Sequence, residues 1–279
     1  MIAFLGTGLM GTGFVRAALA RGERVTVWNR TRAKAVPLQD AGATIAETPA
    51  DAVRGAERVH LSLLDDAAVD DVIAQLLPAL EPGAIILDHT TTAPAPTAER
   101  MRRLVESGVQ YLHAPVFMGP SNAEQMTGLM LAAGPRALFD TVEPVLGKMT
   151  GKVRYMGERS DLAAAYKLFG NMTIMFAISG LADLFALARG LGVEPSDAYT
   201  LFNDFNPAGQ FTGRGARMAA GDYTPTFELS AARKDVRLML ETAARTGTTL
   251  HFLPRIADRM DDVIAAGHGD EDLAVLGAE

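Results

Sequence analysis

Cysteine is absent from the 279 residues, so no disulfide, thiolate metal ligand or cysteine nucleophile is available, and a reducing compartment fits. No stretch reaches the ~18 uncharged apolar residues of a membrane span. The longest candidate, between Lys167 and Asp183, is interrupted by Asn171, Thr173 and Ser179. An apolar run already begins at Ile2, so no cleaved leader is expected. Basic side chains are outnumbered, 26 Lys and Arg against 33 Asp and Glu, for a net charge of −7. That balance argues against general nucleic-acid binding but leaves room for a local cationic pocket. The histidines His60, His89, His251 and His268 show no ligand spacing, so no metal site is expected. What remains is 48% hydrophobic and 21% charged, the composition of a globular protein long enough for two domains. A cytoplasmic protein without membrane or nucleic-acid partners is expected.

The first thirty-one residues are the most informative. Ile2-Ala3-Phe4-Leu5 leads into Gly6-Thr7-Gly8-Leu9-Met10-Gly11, a helical stretch, and then Val25-Thr26-Val27-Trp28-Asn29-Arg30-Thr31. In this strand, turn, helix, strand order Gly6 permits a sharp turn and Gly8 lets the backbone approach a pyrophosphate. Gly11 lets the helix pack closely, its positive end facing the phosphates. A dinucleotide is expected there. Asn29 stands near the position where an acidic side chain would accept from a ribose 2′-hydroxyl and repel a 2′-phosphate. Arg30 and Thr31 follow, a planar guanidinium and a hydroxyl donor, so NADP(H) is the expected cofactor.

To about residue 156, short β-rich runs alternate with helical patterns. The expected strands are Ile2–Leu5, Arg24–Trp28, Val59–Leu63, Ala84–Asp88, Tyr111–Ala114, Met130–Ala133 and Val153–Met156. From Asp161 to about Ala188 a proline-free, densely apolar stretch predicts one long helix buried on most sides. Further helices are expected over Pro195–Asn203, Gly209–Ala220, Phe227–Arg245 and His251–Ala266. The fold class is α/β: a Rossmann-type doubly wound parallel sheet over 1–160, then an all-α substrate and oligomerisation domain over 161–279 that begins with the long interdomain helix. The apolar content of that helical half points to a homodimer or homotetramer.

Chemistry at a nicotinamide needs a group that gives or takes a hydroxyl proton. Lys167 sits early in the long apolar helix, where burial would lower its pKa, and Asn171 follows at i+4 on the same face. On the residues alone the plainer reading, a lysine snorkelling to the surface with a capped or core asparagine, is the stronger. His113, at a strand end, reads as structural. The acidic pairs read as helix caps and solvated faces.

Taken together, these residues resemble the β-hydroxyacid dehydrogenase family over nearly the whole chain. The likeness includes the Gly6–Gly11 loop, Asn29-Arg30-Thr31, Ser62-Leu63-Leu64-Asp65, Asp88-His89-Thr90-Thr91, His113-Ala114-Pro115-Val116, Lys167 with Asn171, and Lys234-Asp235-x-x-Leu238. The resemblance implies that Lys167 is the acid/base, Asn171 holds substrate, Thr91 lines the site and Lys234 approaches the nicotinamide. It implies that Leu63, Leu64 and Asp65 border the cofactor. Phe117 and Met118 stand where the family carries a serine and a glycine that cradle a substrate carboxylate, and Gly170 stands where a first asparagine often precedes the second. With Phe117 and Met118 at the pocket floor, Gly119, Ser121 and Asn122 are the remaining candidate donors, Arg214 a more distant one. The implied activity is an NADP-dependent oxidoreductase acting between a small aldehyde or keto acid and its hydroxy acid. An imine reductase-like enzyme and a non-catalytic NADP-binding protein are the alternatives.

Overall fold

The computed structural model describes residues 1–278. It opens with β1 (Ile2–Leu5), α1 (Leu9–Ala20), β2 (Val25–Trp28), α2 (Val36–Gln39), β3 (Thr44–Ile45), α3 (Pro49–Val53) and β4 (Arg58–Leu61). It continues through α4 (Asp66–Leu76), β5 (Ile85–Asp88), α5 (Pro94–Glu106) and β6 (Gln110–His113). These strands form one six-stranded parallel sheet in the order β3-β2-β1-β4-β5-β6, with Ile2 opposite both Val25 and Arg58. Alternation along each strand feeds two cores. Ile2, Phe4, Val25, Val27 and Leu87 pack with Phe14, Val15 and Ala18 of α1. Ala3, Leu5, Val59, Leu61 and Ile86 pack on the other face with Val69, Val72 and Ile73 of α4 and with Met101 and Leu104 of α5.

The sequence pattern places Met130 and Val153 in the same sheet, and here the structure differs. After β6 come β7 (Val116–Phe117), α6 (Pro120–Gln125), β8 (Leu129–Ala132), α7 (Arg136–Leu146) and β9 (Lys152–Tyr155). They build a separate sheet, β7-β8-β9, in which β7 runs antiparallel to β8. Pro115 has no N–H with which to extend the ladder of β6. Its carbonyl instead accepts from Leu131 N at 2.9 Å, turning the chain back onto β8.

The all-helical part comprises α8 (Leu162–Gly190), α9 (Pro195–Tyr199), α10 (Gly209–Thr212), α11 (Arg214–Ala220), α12 (Leu229–Arg245) and α13 (Leu253–Val263). The chain divides into two compact units, Met1–Met172 and Thr173–Glu279. That division falls inside α8, and the change of sequence pattern comes earlier, at 160/161. In the second unit Leu229, Ala232 and Val236 of α12 pack against Ala257, Met260 and Val263 of α13. Asp183 anchors the start of α13 by accepting from the amides of His251, Phe252 and Leu253 at 2.8, 2.8 and 2.7 Å.

The expectation that α8 is buried on most sides is overturned: only 11% of its most apolar window is buried. Ile174, Met175, Phe176 and Ile178 are all exposed. The interruptions at Asn171, Thr173 and Ser179 also fail to disqualify it by length, for α8 is long and apolar enough to cross a membrane on length and composition alone.

Candidate active site

The glycine turn between β1 and α1 is built by contacts that no side chain could share. Gly6 has φ +98°, and a Cβ there would lie 2.1 Å from the carbonyl oxygen of Ser62. A Cβ on Gly11 would lie 1.9 Å from the carbonyl oxygen of Gly6. Gly8, by contrast, faces open space and caps α1 without any side-chain hydrogen bond. The buried Thr7 Oγ1 also has no partner. A bare backbone, an uncapped helix N-terminus and an orphaned hydroxyl fit a pyrophosphate group.

Two clefts flank this turn. One, of about 480 Å³, is lined by Thr7, Gly8, Leu9, Arg16 and Lys34 among others. The other, of about 280 Å³, runs along Gly6, Gly8, Asn29, Arg30, Thr31, Lys34, Ser62, Leu63 and Leu64. Asn29 lines it but is already engaged: Oδ1 accepts from Thr7 N and Nδ2 donates to the Thr31 carbonyl, both at 2.9 Å. It therefore ties the end of β2 to the glycine turn. Arg30 and Lys34 are exposed and, among the described residues, have no ion-pair partner, whereas Arg32 nearby pairs with Glu47 at 3.2 Å. Lys34 was not singled out from sequence, although its signal is the basic run Arg30-Thr31-Arg32-Ala33-Lys34. Asp65 lines neither cleft; its carboxylate accepts from Ala68 N and caps α4.

A third pocket, of about 200 Å³, shares Ser62, Leu63 and Leu64 with the second cleft and adds Met10, Phe14, His89, Thr90, Thr91, Val116, Met118 and Lys167. The loop carrying Thr91 is pinned where Asp66 Oδ2 accepts from Ala93 N at 2.8 Å and Asp66 Oδ1 from the buried Arg100 at 2.8 Å. Lys167 is 8% exposed, and burial pushes its pKa below the ordinary 10.5. Among the described residues its ammonium has no hydrogen-bond or ion-pair partner; Nζ stands 4.2 Å from the centroid of the Phe117 ring. His89, which the sequence offers only as part of the Asp88-His89-Thr90-Thr91 run, donates from Nδ1 to the Ala114 carbonyl at 2.8 Å. Its Nε2 must then accept from His60 Nδ1 at 3.0 Å. Burial lowers the pKa of both rings, which keeps the pair neutral.

Other expected residues are placed elsewhere. Phe117 is not among the residues lining the third pocket; its ring packs near Leu131, Ala133 and Ala163. Asn122 closes a local loop, accepting from Gly119 N and donating to Thr127 Oγ1. Gly119 and Ser121 do not line the pocket. Asn171 lies half-buried one turn beyond Lys167 on α8. Lys234 lies exposed on α12, paired with Asp235 at 2.8 Å. Arg214 is spent on Asp272 at 2.9 Å. His113 bonds to Thr92 Oγ1 and to the Thr90 carbonyl inside the protein.

Two family models cover the chain: the NAD binding domain of 6-phosphogluconate dehydrogenase matches residues 1–157, and the NAD-binding domain of NADP-dependent 3-hydroxyisobutyrate dehydrogenase matches 162–277. Glyoxylate/succinic semialdehyde reductase 1 of Arabidopsis thaliana is 27% identical over 99% of this chain and 96% of its own length. The imine reductase of Streptomyces aurantiacus aligns over 99% of this chain and 97% of its own, with a TM-score of 0.90 and 28% identity. That of Myxococcus stipitatus, in complex with NADP+, has a TM-score of 0.92 at 24% identity over 99% and 98%, a likeness of fold.

Proposed function

Because the chain belongs to the β-hydroxyacid dehydrogenase family, we propose that this NAD(P)-dependent oxidoreductase uses NADP(H) to interconvert a small aldehyde or keto acid and the matching hydroxy acid. Gly6 to Gly11 would hold the pyrophosphate, Arg30, Thr31 and Lys34 the ribose end, and Leu63, Leu64 and Thr91 the way to the nicotinamide. The nicotinamide supplies or accepts the hydride. One observation carries the reading: a buried amine without a salt bridge opens into a pocket whose wall continues the dinucleotide cleft. In reduction Lys167 Nζ gives its proton to the substrate oxygen; in oxidation the neutral amine takes the hydroxyl proton. Asn171, on the same helical face, orients that oxygen.

A second reading, an imine reductase, is favoured by Met118, which lines the pocket where the family carries a glycine and offers no donor to a substrate carboxylate. Loss of NADPH absorbance on a panel of semialdehydes, keto acids and cyclic imines separates the two. Turnover of the imines alone would reject the hydroxy-acid reading, and cofactor binding without any turnover would reject both.

The same assignment makes the ribose end testable. A charge-assisted contact contributes about 1.5–3 kcal/mol, so Arg30→Ala is expected to weaken NADPH binding roughly 10- to 150-fold and leave NADH nearly unchanged. Lys34→Ala should act in the same direction. Equal affinity of the unmutated protein for NADH and NADPH, measured by fluorescence titration, would sink the preference.

The exposed apolar side chains of α8 we read as a subunit contact in a cytoplasmic homodimer or homotetramer. Light scattering should give a multiple of the 29.6 kDa chain mass. Ile178→Asp should shift it towards the monomer. A monomeric parent protein, or one that partitions into vesicles, would contradict this.

A further inference from the structure

Phe117 is a bulky side chain whose placement depends on a missing side chain elsewhere. Its backbone is fixed in β7, opposite Leu129 of β8. From there the ring reaches α8, where a Cβ at position 170 would stand 2.3 Å from Cζ, 2.5 Å from Cε1 and 3.3 Å from Cε2. The edge of the ring therefore sits in a notch that exists only because residue 170 is glycine. Lys167 lies three residues earlier on the same helix, and neighbours at that spacing share a face. Its side chain brings Nζ to 4.2 Å from the ring centroid.

We propose that Phe117 and Gly170 are a positioning pair for Lys167: the notch at Gly170 seats the ring, and the ring offers its π face to the ammonium. The inference rests on Lys167 being the proton donor and acceptor, and it goes beyond that by naming what holds the amine. A carboxylate partner would lock the amine in its charged form. The ring quadrupole attracts the cation more weakly and burial favours the neutral amine, so the two oppose each other and leave a group that can cycle. Among the described residues, the only other titratable side chain lining the pocket is His89, neutral and turned to His60 and the Ala114 carbonyl. On α8 itself the neighbouring Tyr166 is exposed, with the Arg154 guanidinium 5.8 Å from its ring centroid.

Competitive labelling of the full-length protein with acetic anhydride across a pH series, quantified on the peptide carrying Lys167, reads the amine directly and requires no substrate. In Phe117→Leu the site stays apolar but loses the quadrupole, so the labelling midpoint should move to lower pH and kcat should fall about tenfold. In Gly170→Ala the ring must leave its notch; the midpoint should move likewise and kcat fall roughly 10- to 100-fold, with NADPH affinity unchanged. Adding Phe117→Leu to Gly170→Ala should leave kcat no lower than in Phe117→Leu alone, since without the ring nothing has to leave the notch. If Gly170→Ala fails to fold, Phe117→Leu alone decides. A Phe117→Leu profile that superimposes on the unmutated one, or moves to higher pH, overturns the proposal. Full activity in Lys167→Ala would instead overturn the acid–base reading while leaving the labelling result to stand.

Discussion

Lys167→Ala is expected to lower turnover by roughly 10²–10⁴-fold while NADPH affinity stays within a few-fold. Among the described residues, the amine is the only cationic side chain lining the third pocket. Alanine removes the proton source yet leaves the glycine turn untouched. Its lowered pKa fixes the sign of the pH response. Reduction needs the ammonium and should slow as pH rises through that pKa, at a value below the ordinary 10.5. Oxidation needs the free amine and should accelerate over the same interval. Steady-state rates in both directions, beside a cofactor titration, measure this. Undiminished turnover in the alanine variant would move the proton donor elsewhere, with Tyr166 and His113 next in line. His113 is the weaker of these because its ring is closed in by Thr90 and Thr92.

A comparably large effect is expected on stability from Asp272→Ala in the second unit. The carboxylate is fully buried. Oδ1 accepts from Arg214 Nε and Ala274 N, each at 2.9 Å. Oδ2 accepts from Thr226 N at 2.9 Å, Thr226 Oγ1 at 2.6 Å and Phe227 N at 3.1 Å. Alanine would strand these donors and leave Arg214 and Arg217 without their shared counter-charge, a loss of about 3–5 kcal/mol. Burial alone would raise the pKa of this carboxyl, but Arg214, Thr226 and the surrounding amides outweigh it and hold the group far below the usual carboxylate range. A depressed folded pKa means that its stabilisation is present above the unfolded carboxyl value and is lost as the solution is acidified below it. Scanning calorimetry should show the helical unit melting earlier in the variant. A melting profile matching the parent's would show the cluster to be dispensable.

The first unit was largely legible in the sequence because its constraints are local. The requirement for glycine at Gly6 and Gly11 comes from backbone carbonyl oxygens that would lie 2.1 and 1.9 Å from any Cβ there, so those positions announce themselves. Five of the six strands of the large sheet, all but the two-residue β3, carry runs of four residues, long enough for their apolar content to register. β7 has two residues, too few to show a period, so neither the second sheet nor the destination of Phe117 could be read. Asn29 and Asn122 were assigned by position to cofactor and substrate. The structure gives both side chains backbone partners, a use that depends on distances no spacing encodes. In the helical half, Gly213 splits the stretch expected as one helix over 209–220 into α10 and α11. The apolar character of α8 was plain, but amphipathic arithmetic registers that a face is apolar and is silent on what covers it.

The course of α8 across the division between the units bears on how relatives of this chain could exchange parts. Lys167, Phe117 and Gly170 all belong to the unit that ends at Met172. A graft that joined a foreign helical half at the change of sequence pattern near residue 160 would import a new amine and a new residue 170 while keeping the old Phe117. The ring would then meet a helix surface it was not shaped against. Recombinants spliced one turn after Gly170 would inherit amine, ring and notch as a set, so the tolerant crossover point lies within a continuous helix and not in the loop before it.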